Sequence, residues 1–425
     1  MLESSETRHP AGAALAAEID SAAQRLAGIV DESPLQLSNR LSEQFGAEVY
    51  LKREDLQEVR SFKLRGAYYK MSRLTAEEAA RGVVCASAGN HAQGVARACT
   101  LLGVRGTVFM PVITPHQKID RVHHFGGGLV DVELVGESYD EAGVAAQLFA
   151  KRHDRVFVHP FDDLATIAGQ GTIAREIVAQ LGVCPDVVLV SVGGGGLIGG
   201  IASYLGERCD GATVIGAEPA GAPAMHDSLS RGTLVTLDAI DTFVDGAAVK
   251  AVGRMTLDLA QRYVDRVVLV PEGAVCTSLI ALYQNEGIVA EPAGALAVAG
   301  LEHVGADLAG KRVVCVLSGG NNDILRYPEI MERSLVHQGL KHYFLVEFAQ
   351  KPGQLRQFVD SALGPTDDIV RFEYMKKTNK ERGAALVGIE LRSQSDLEPL
   401  LQRMDEIQMK YRRLSSDELL YEHLI

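Results

Sequence analysis

Between residues 83 and 320 the chain repeats one pattern: a short β-branched, apolar run, a turn rich in Gly, Pro or Ser, then a helical stretch of small or amphipathic residues. The runs are "VVCAS", "GTVFMP", "GLVDVELV", "RVFVHP", "DVVLVSV", "ATVIGAEP" and "RVVCVLSGG". Strands that read as continuous apolar segments are buried on both faces, and helices between them supply the crossovers that parallel neighbours require. The pattern therefore predicts an α/β protein with open, mainly parallel sheets and helices on both faces. No short repeat or low-complexity tract interrupts it. Beyond about Leu340 the order becomes "HYFLVEF" (strand), "QLRQFVDSAL" (helix), "IVRFEYMKK" and "AALVGIEL" (strands), "DLEPLLQRMDEI" (helix) and an extended tail with room for a last strand. That βαββα order is ferredoxin-like and marks a separate, small α+β domain.

At 425 residues and 47% hydrophobic, the chain is long enough for two or three domains with substantial cores. A formal net charge of -13 without any basic run argues against nucleic acid or an anionic membrane as partner. The uncharged stretch "VVLVSVGGGGLIGGIASYLG" is about long enough to span a bilayer, but its glycines suit a strand, a turn and a helix start better. The six cysteines (Cys85, Cys99, Cys184, Cys209, Cys276, Cys315) form no C-x-x-C pair and have no histidine at zinc spacing. They read as buried thiols of a reducing, cytoplasmic compartment. The N-terminal segment carries acids and no continuous apolar run, so it is not read as a secretory signal.

The tetraglycine Gly193–Gly196 follows the strand "DVVLVSV" and opens the helix "LIGGIASYL". Several backbone N–H groups can then point at one anion, with the helix dipole behind them. No Lys-Ser or Lys-Thr follows, which excludes a Walker nucleotide loop. A dinucleotide remains open, since Gly194, Gly196 and Gly199 fit G-x-G-x-x-G and Glu218 ends the next strand, and so does close helix–strand packing without a ligand. "CASAGNHAQGVARA" has the same architecture, placing Ser87, Gly89, Asn90 and His91 at a helix start suited to a carboxylate, and "CVLSGGNND" presents Ser318 at a further strand end. "SFKLRGA" sets Lys63 between Phe62 and Leu64. A lysine removed from water has a lowered pKa and becomes a usable nucleophile and base.

Taken in order, "SFKLRGA", "SAGNHAQG", "GGGGL", "EPAGA" and "SGGNN" resemble the fold-type-II pyridoxal-phosphate enzymes, and the set most resembles the threonine dehydratase (threonine ammonia-lyase) family of the biosynthetic type. "FEYMKKTNKERGAALVGIEL" is similar to the ACT-like regulatory domain of that family. The resemblance implies two open α/β subdomains of the tryptophan synthase β-like kind in a catalytic domain over residues 1–338, the smaller at roughly 55–160, and an ACT-like regulatory domain over 339–425. It implies pyridoxal 5'-phosphate as cofactor and deamination of L-threonine to 2-oxobutyrate and ammonia at the first committed step of isoleucine biosynthesis. L-serine would be a second substrate, isoleucine an inhibitor and valine an activator, and the enzyme a homo-oligomer, dimer or tetramer.

By the same resemblance Lys63 is the catalytic residue and forms the Schiff base, with Phe62 beside it in the cofactor pocket. Asn90 bonds the ring hydroxyl, Gly193, Gly194, Gly195, Gly196 and Leu197 hold the phosphate, and Ser318 meets the pyridine nitrogen. Ser87, Ala88, Gly89 and His91 lie along the loop for the substrate carboxylate. "EPAGA" itself reads as a helix start with Pro in its first turn, and whether Glu291 also lines the site stays open. His123 and His124 read as surface residues. Two departures from relatives on this fold stand out. Ala224 replaces an acid of the divalent-ion site some members have near Glu218, so no metal is expected there, and Ala88 replaces the serine that serine racemases use as a proton donor. Other replacement or elimination enzymes of the fold, such as threonine synthase and cysteine synthase, and a nicotinamide oxidoreductase are the alternatives.

Overall fold

The computed structural model describes residues 10–374 and 381–414. The expected tail after residue 414 and the part of the "FEYMKKTNK" motif at 375–380 lie outside the described residues. The chain divides into two compact units, Met1–Glu272 with Ala281–Asn322, and Gly273–Ile280 with Asp323–Ile425.

In the first unit, β1 (Leu35–Leu37) and β2 (Glu48–Arg53) pair antiparallel. Next come β3 (Val83–Ala86), β4 (Gly106–Met110), β5 (Val130–Leu134) and β6 (Val156–Phe157), which form a parallel sheet in the order β5-β4-β3-β6. The strands β7 (Val187–Ser191), β8 (Thr213–Pro219), β9 (Arg266–Val270) and β10 (Arg312–Leu317) then join β1 and β2 in a six-stranded sheet, order β1-β2-β10-β7-β8-β9, parallel except for β1. The central strands β3, β4 and β7 are buried at every position, as their unbroken apolar runs require. No helix among the described residues is long and apolar enough to cross a membrane. The uncharged glycine-rich stretch divides into β7, a turn and the helix Gly196–Arg208.

The sequence pattern did not announce β1, β2 or β9. For β2 the reason is physical: its last residues, Lys52 and Arg53, are charged yet buried. Lys52 belongs to an ion cluster centred on Arg65, in the helix Lys63–Met71. Arg65 meets Glu54 through Nε (2.8 Å) and Nη2 (2.8 Å), and Glu176 through Nη1 (2.5 Å) and Nη2 (2.9 Å). Lys52 Nζ donates to Glu176 (2.6 Å), Gln180 (3.0 Å) and the Ser33 carbonyl (2.6 Å). Burial disfavours the charge on Arg65, but the two carboxylates outweigh it and raise its pKa further. Burial likewise opposes ionisation of Glu54, and Arg65 outweighs it, so that carboxyl is held below its usual range.

The cysteine reading needs correction. Cys184 and Cys209 form a disulfide, with their Cα atoms 5.6 Å apart. Cys184 precedes β7 and Cys209 caps the end of the helix Gly196–Arg208, so one strand–turn–helix excursion returns the second cysteine to the first. Scattered spacing conceals such a pairing because only the fold brings the ends together. Cys85, Cys99, Cys276 and Cys315 are buried outside any disulfide.

The second unit contains β11 (Lys341–Ala349), the helix Gln354–Ser361, β12 (Asp368–Tyr374), β13 (Arg382–Glu390), the helix Leu397–Glu406 and β14 (Lys410–Arg413). Its antiparallel sheet runs β12-β13-β11-β14, the expected ferredoxin-like arrangement with its last strand present. Alternate residues of β11 and β13 (Phe344, Val346, Phe348; Val387, Ile389) form a core with Phe358, Leu400 and Met404 from the helices.

Breaking a buried ion pair from one side leaves uncompensated charge, so Arg65→Met is expected to cost about 3–5 kcal/mol in denaturant unfolding. Arg73→Ala removes the surface pair with Glu18, where the arginine side chain is 48% exposed, and should cost under about 1 kcal/mol. Equal losses in the two variants would show that the Arg65 cluster is not what secures this helix.

Candidate active site

Lys63 is the first residue of its helix, and the loop before it is laced to the end of β10. Phe62 N donates to Ser318 O (3.2 Å), Gly320 N donates to Arg60 O (2.9 Å), and Ser61 bridges Gly319. Arg60 sits at φ 57°, a left-handed conformation that a non-glycine residue adopts only at a cost, and its carbonyl is one of those that hold the turn. These bonds hold the backbone that carries Lys63 beside the backbone that carries Ser318.

Of the residues expected at a cofactor, Phe62, Lys63, Gly193–Gly196, Leu197 and Ser318 line one cavity. Phe161, Ser191, Gly246, Ala247 and Ala293 also line it, and sequence reasoning missed them. Next to Phe161, the Asp162 carboxylate caps the helix Arg254–Tyr263 by accepting from Met255 N (2.9 Å) and Arg254 N (3.2 Å). The glycine turn fits between these walls. A Cβ on Gly194 would lie 2.2 Å from the Phe161 ring, and one on Gly193 would lie 2.9 Å from Ala247 Cα. Gly195 has φ 91° and brings no side chain to cap the helix Gly196–Arg208. Gly196 and Leu197, which carry its first N–H groups, line the cavity, so an anion there meets backbone donors and the positive end of the helix.

The Lys63 side chain is half-buried, donates to Pro160 O at 3.1 Å and lies 5.0 Å from the centroid of the Phe62 ring. Burial lowers its pKa to about 8, against an opposing pull from Glu291. Ser191 (2.7 Å) and Ser318 (3.1 Å) both donate to Ala293 O.

Asn90 and the expected substrate loop are not among the residues lining this cavity. Asn90 donates through Nδ2 to Glu291 Oε1 at 2.5 Å, and Glu291 Oε1 in turn lies 2.2 Å from where a Cβ on Gly319 would stand, next to Ser318. Burial, with a contribution from Asp245, pushes Glu291 up to about 7. Ser87 Oγ accepts from Gly89 N (3.1 Å), Ala88 lies between them, and Gly89 opens the helix Asn90–Leu102. His91 turns inward: it is buried, its Nε2 pairs with Val158 O at 2.8 Å, and its Nδ1 has no partner. Burial and the nearby Lys63 push its pKa down to about 3, so the ring is neutral and Nε2 is the donor. His123 and His124 are exposed. Glu218 is buried and spends both carboxylate oxygens on Met225 N (2.7 Å) and His226 N (2.8 Å), which leaves it poorly placed for a ribose. The cavity thus offers an amine that can join a carbonyl carbon, an anion cradle and a hydroxyl for a polar ring atom.

Residues 26–319 match the family model of pyridoxal-phosphate dependent enzymes, and residues 332–424 match that of the C-terminal regulatory domain of threonine dehydratase. The chain is 55% identical over 427 aligned positions to the biosynthetic L-threonine dehydratase of Mycobacterium bovis, covering 100% of this chain and 99% of that one. It is 51% identical to the biosynthetic L-threonine dehydratase of Bacillus subtilis, covering 95% of each. Among solved structures, the processed form of threonine deaminase isoform 2 from Solanum lycopersicum superposes with a TM-score of 0.73 at 38% identity, over 77% of this chain and 94% of that one.

In competitive amine labelling of the cofactor-free protein across pH, followed by peptide mapping, Lys63 should titrate with a midpoint at about 8, becoming reactive as pH rises through that value. A midpoint close to the ordinary lysine value of about 10.4 would mean that burial does not desolvate this amine.

Proposed function

The chain belongs to the threonine dehydratases, pyridoxal-phosphate-dependent ammonia-lyases of the biosynthetic type with a C-terminal regulatory domain, and from that premise we propose that it deaminates L-threonine to 2-oxobutyrate and ammonia. The observation that carries this reading is the convergence of the Lys63 amine, the glycine turn at a helix N-terminus and the Ser318 hydroxyl in one cavity.

The residues suit the cofactor. The turn leaves no room for side chains and offers backbone donors to the phosphate, Lys63 offers an amine to the aldehyde, and Ser318 offers a hydroxyl to the ring nitrogen. Pyridoxal phosphate, when bound, supplies the electron sink that makes the substrate Cα–H acidic. Lys63 Nζ is the base for that proton, since a pKa of about 8 keeps part of the amine neutral near pH 7. Loss of the Cα proton and of the β-hydroxyl as water leaves an enamine, which becomes an imine and hydrolyses to 2-oxobutyrate and ammonia. Ser318, a neutral partner, does not fix a positive charge on the ring nitrogen as an aspartate would, and this favours elimination over transamination. Asn90 is assigned to the ring hydroxyl, and Ser87, Ala88 and Gly89 to the substrate carboxylate, bound by the N–H groups at the start of the helix Asn90–Leu102. His91, committed to Val158 O, contributes to that loop through its backbone. Ala88 offers no proton donor, which argues against racemisation.

We assign residues 1–338 to catalysis, with the smaller subdomain at roughly 55–160, and residues 339–425 to an ACT-like regulatory domain that binds isoleucine as inhibitor and valine as activator. The regulatory family match and the βαββαβ order of β11–β14 support this assignment. L-serine is assigned as a second substrate giving pyruvate, the enzyme as a cytoplasmic homo-oligomer, dimer or tetramer, and its step as the first committed one toward isoleucine.

Full-length protein with pyridoxal phosphate should form 2-oxobutyrate from L-threonine, and isoleucine should raise the half-saturating threonine concentration roughly 5- to 150-fold, the usual range of ligand coupling. A β-replacement product or phosphate-ester turnover in place of 2-oxobutyrate would reassign the reaction within the fold. Unchanged threonine saturation with isoleucine and with valine would remove the effector assignment alone.

A further inference from the structure

A line of hydrogen bonds runs from Arg121, in the helix His116–Gly126, through Asn321, in the loop after β10, to Asn90 and Glu291. Side-chain amides carry a donor and an acceptor that look alike in shape, so the sense in which each points is set by its partners. Arginine can only donate. Arg121 Nη1 therefore requires Asn321 to turn its Oδ1 toward the guanidinium. That leaves the two Nδ2 hydrogens of Asn321 for two acceptors, Val59 O at 2.8 Å and Asn90 Oδ1 at 2.7 Å. Asn90 Oδ1 is thereby occupied as an acceptor. Of the Asn90 Nδ2 hydrogens one goes to Glu291 Oε1 at 2.5 Å, and the other has no acceptor among the described residues.

We propose that Arg121 and Asn321 are positioning residues that fix the sense of the Asn90 amide, so that it presents an N–H and never its carbonyl to the ring hydroxyl oxygen of the bound cofactor. The inference rests on the assignment of Asn90 to that oxygen. Its chemical consequence is definite: an N–H stabilises the ring oxygen as an anion, whereas a carbonyl would repel it. The line also joins the two sheets of the first unit, because Asn90 follows β3 and Arg121 lies between β4 and β5, while Asn321 follows β10 and Glu291 precedes the helix Pro292–Ala299. Each link is between residues far apart in sequence, 200 positions for Arg121 and Asn321 and 231 for Asn321 and Asn90, so the sense of the amide is a property of the fold.

The test is the absorption spectrum of full-length protein loaded with pyridoxal phosphate, together with its affinity for the cofactor. Asn321→Asp keeps the size of the side chain and a strong partner for Arg121, but offers only acceptors to Asn90, so the Asn90 amide turns over and its Oδ1 accepts from Glu291, which burial has brought within reach of a proton. The visible band, which needs the anionic ring oxygen, should lose at least about half its intensity to the near-ultraviolet band. Cofactor affinity should fall roughly tenfold, about the worth of one hydrogen bond to a charged acceptor. Asn90→Ala should shift both readouts the same way, and the double variant should lose little more than either single one. Arg121→Lys, which remains a pure donor, should keep the spectrum, and Arg121→Leu should move it; this pair makes the same comparison if Asn321→Asp does not fold. If Asn90→Ala changes the spectrum while Asn321→Asp and Arg121→Leu leave it as in the unaltered protein, or if the losses simply add, the positioning role is wrong and the Asn90 assignment stands. If Asn90→Ala changes neither readout, the assignment of Asn90 falls and the inference falls with it.

Discussion

Arg65 has no access to solvent, and a guanidinium in that position holds only if carboxylates are brought to it. Glu54, from the turn after β2, and Glu176, from the helix Leu164–Leu181, meet that demand, with Lys52 closing the cluster at two charges of each sign. Lys63 lies two residues before Arg65 on the same helix, so its backbone is held in place by the buried charges that Arg65 pairs. The lacing of Arg60 and Phe62 to the end of β10 adds a second restraint, which keeps the start of this helix beside the Ser318 segment. Because the cluster is balanced, it places little net field on Lys63. The acidity of that amine is left to its own burial and to Glu291.

Within the site, charge is used sparingly. The glycine turn offers backbone donors, the residues proposed for the ring are a serine and an asparagine, and the buried His91 is neutral. Glu291, the acid that acts on Lys63, is itself pushed up toward neutrality by burial and is engaged by Asn90. Its pull on Lys63 opposes the lowering by burial without cancelling it. Burial thus moves both groups toward neutral pH, the amine down to about 8 and the acid up to about 7.

The sequence disclosed what local pattern controls. Apolar runs marked the buried strands β3, β4, β7, β8 and β10, the tetraglycine marked the turn after β7, and an order of motifs along the chain pointed to a lysine with few other reasons to sit between Phe62 and Leu64. What it concealed depends on distant partners. The strand β2 was masked by Lys52 and Arg53, whose charges look like a surface until Glu176 is placed beside Lys52. Phe161 and Ala247, which make glycine obligatory at positions 194 and 193, lie far from the turn in sequence, and Ser191 gains its meaning only from the Ala293 carbonyl it shares with Ser318. The disulfide between Cys184 and Cys209 was hidden for the same reason, since spacing alone does not show that a helix brings its end back to the start of a strand.

The central claim, that burial of one lysine amine opposite a glycine cradle makes it the residue that joins the cofactor, is open to a direct chemical measurement. Borohydride reduction of the pyridoxal-phosphate-loaded protein fixes the cofactor to whichever amine holds it, and peptide mass mapping then locates the added mass. The expected result is a single modified peptide containing Lys63, with Lys52 and Lys70 unmodified although both are close in sequence. A phosphopyridoxyl group on any other lysine, with Lys63 recovered intact, would contradict it.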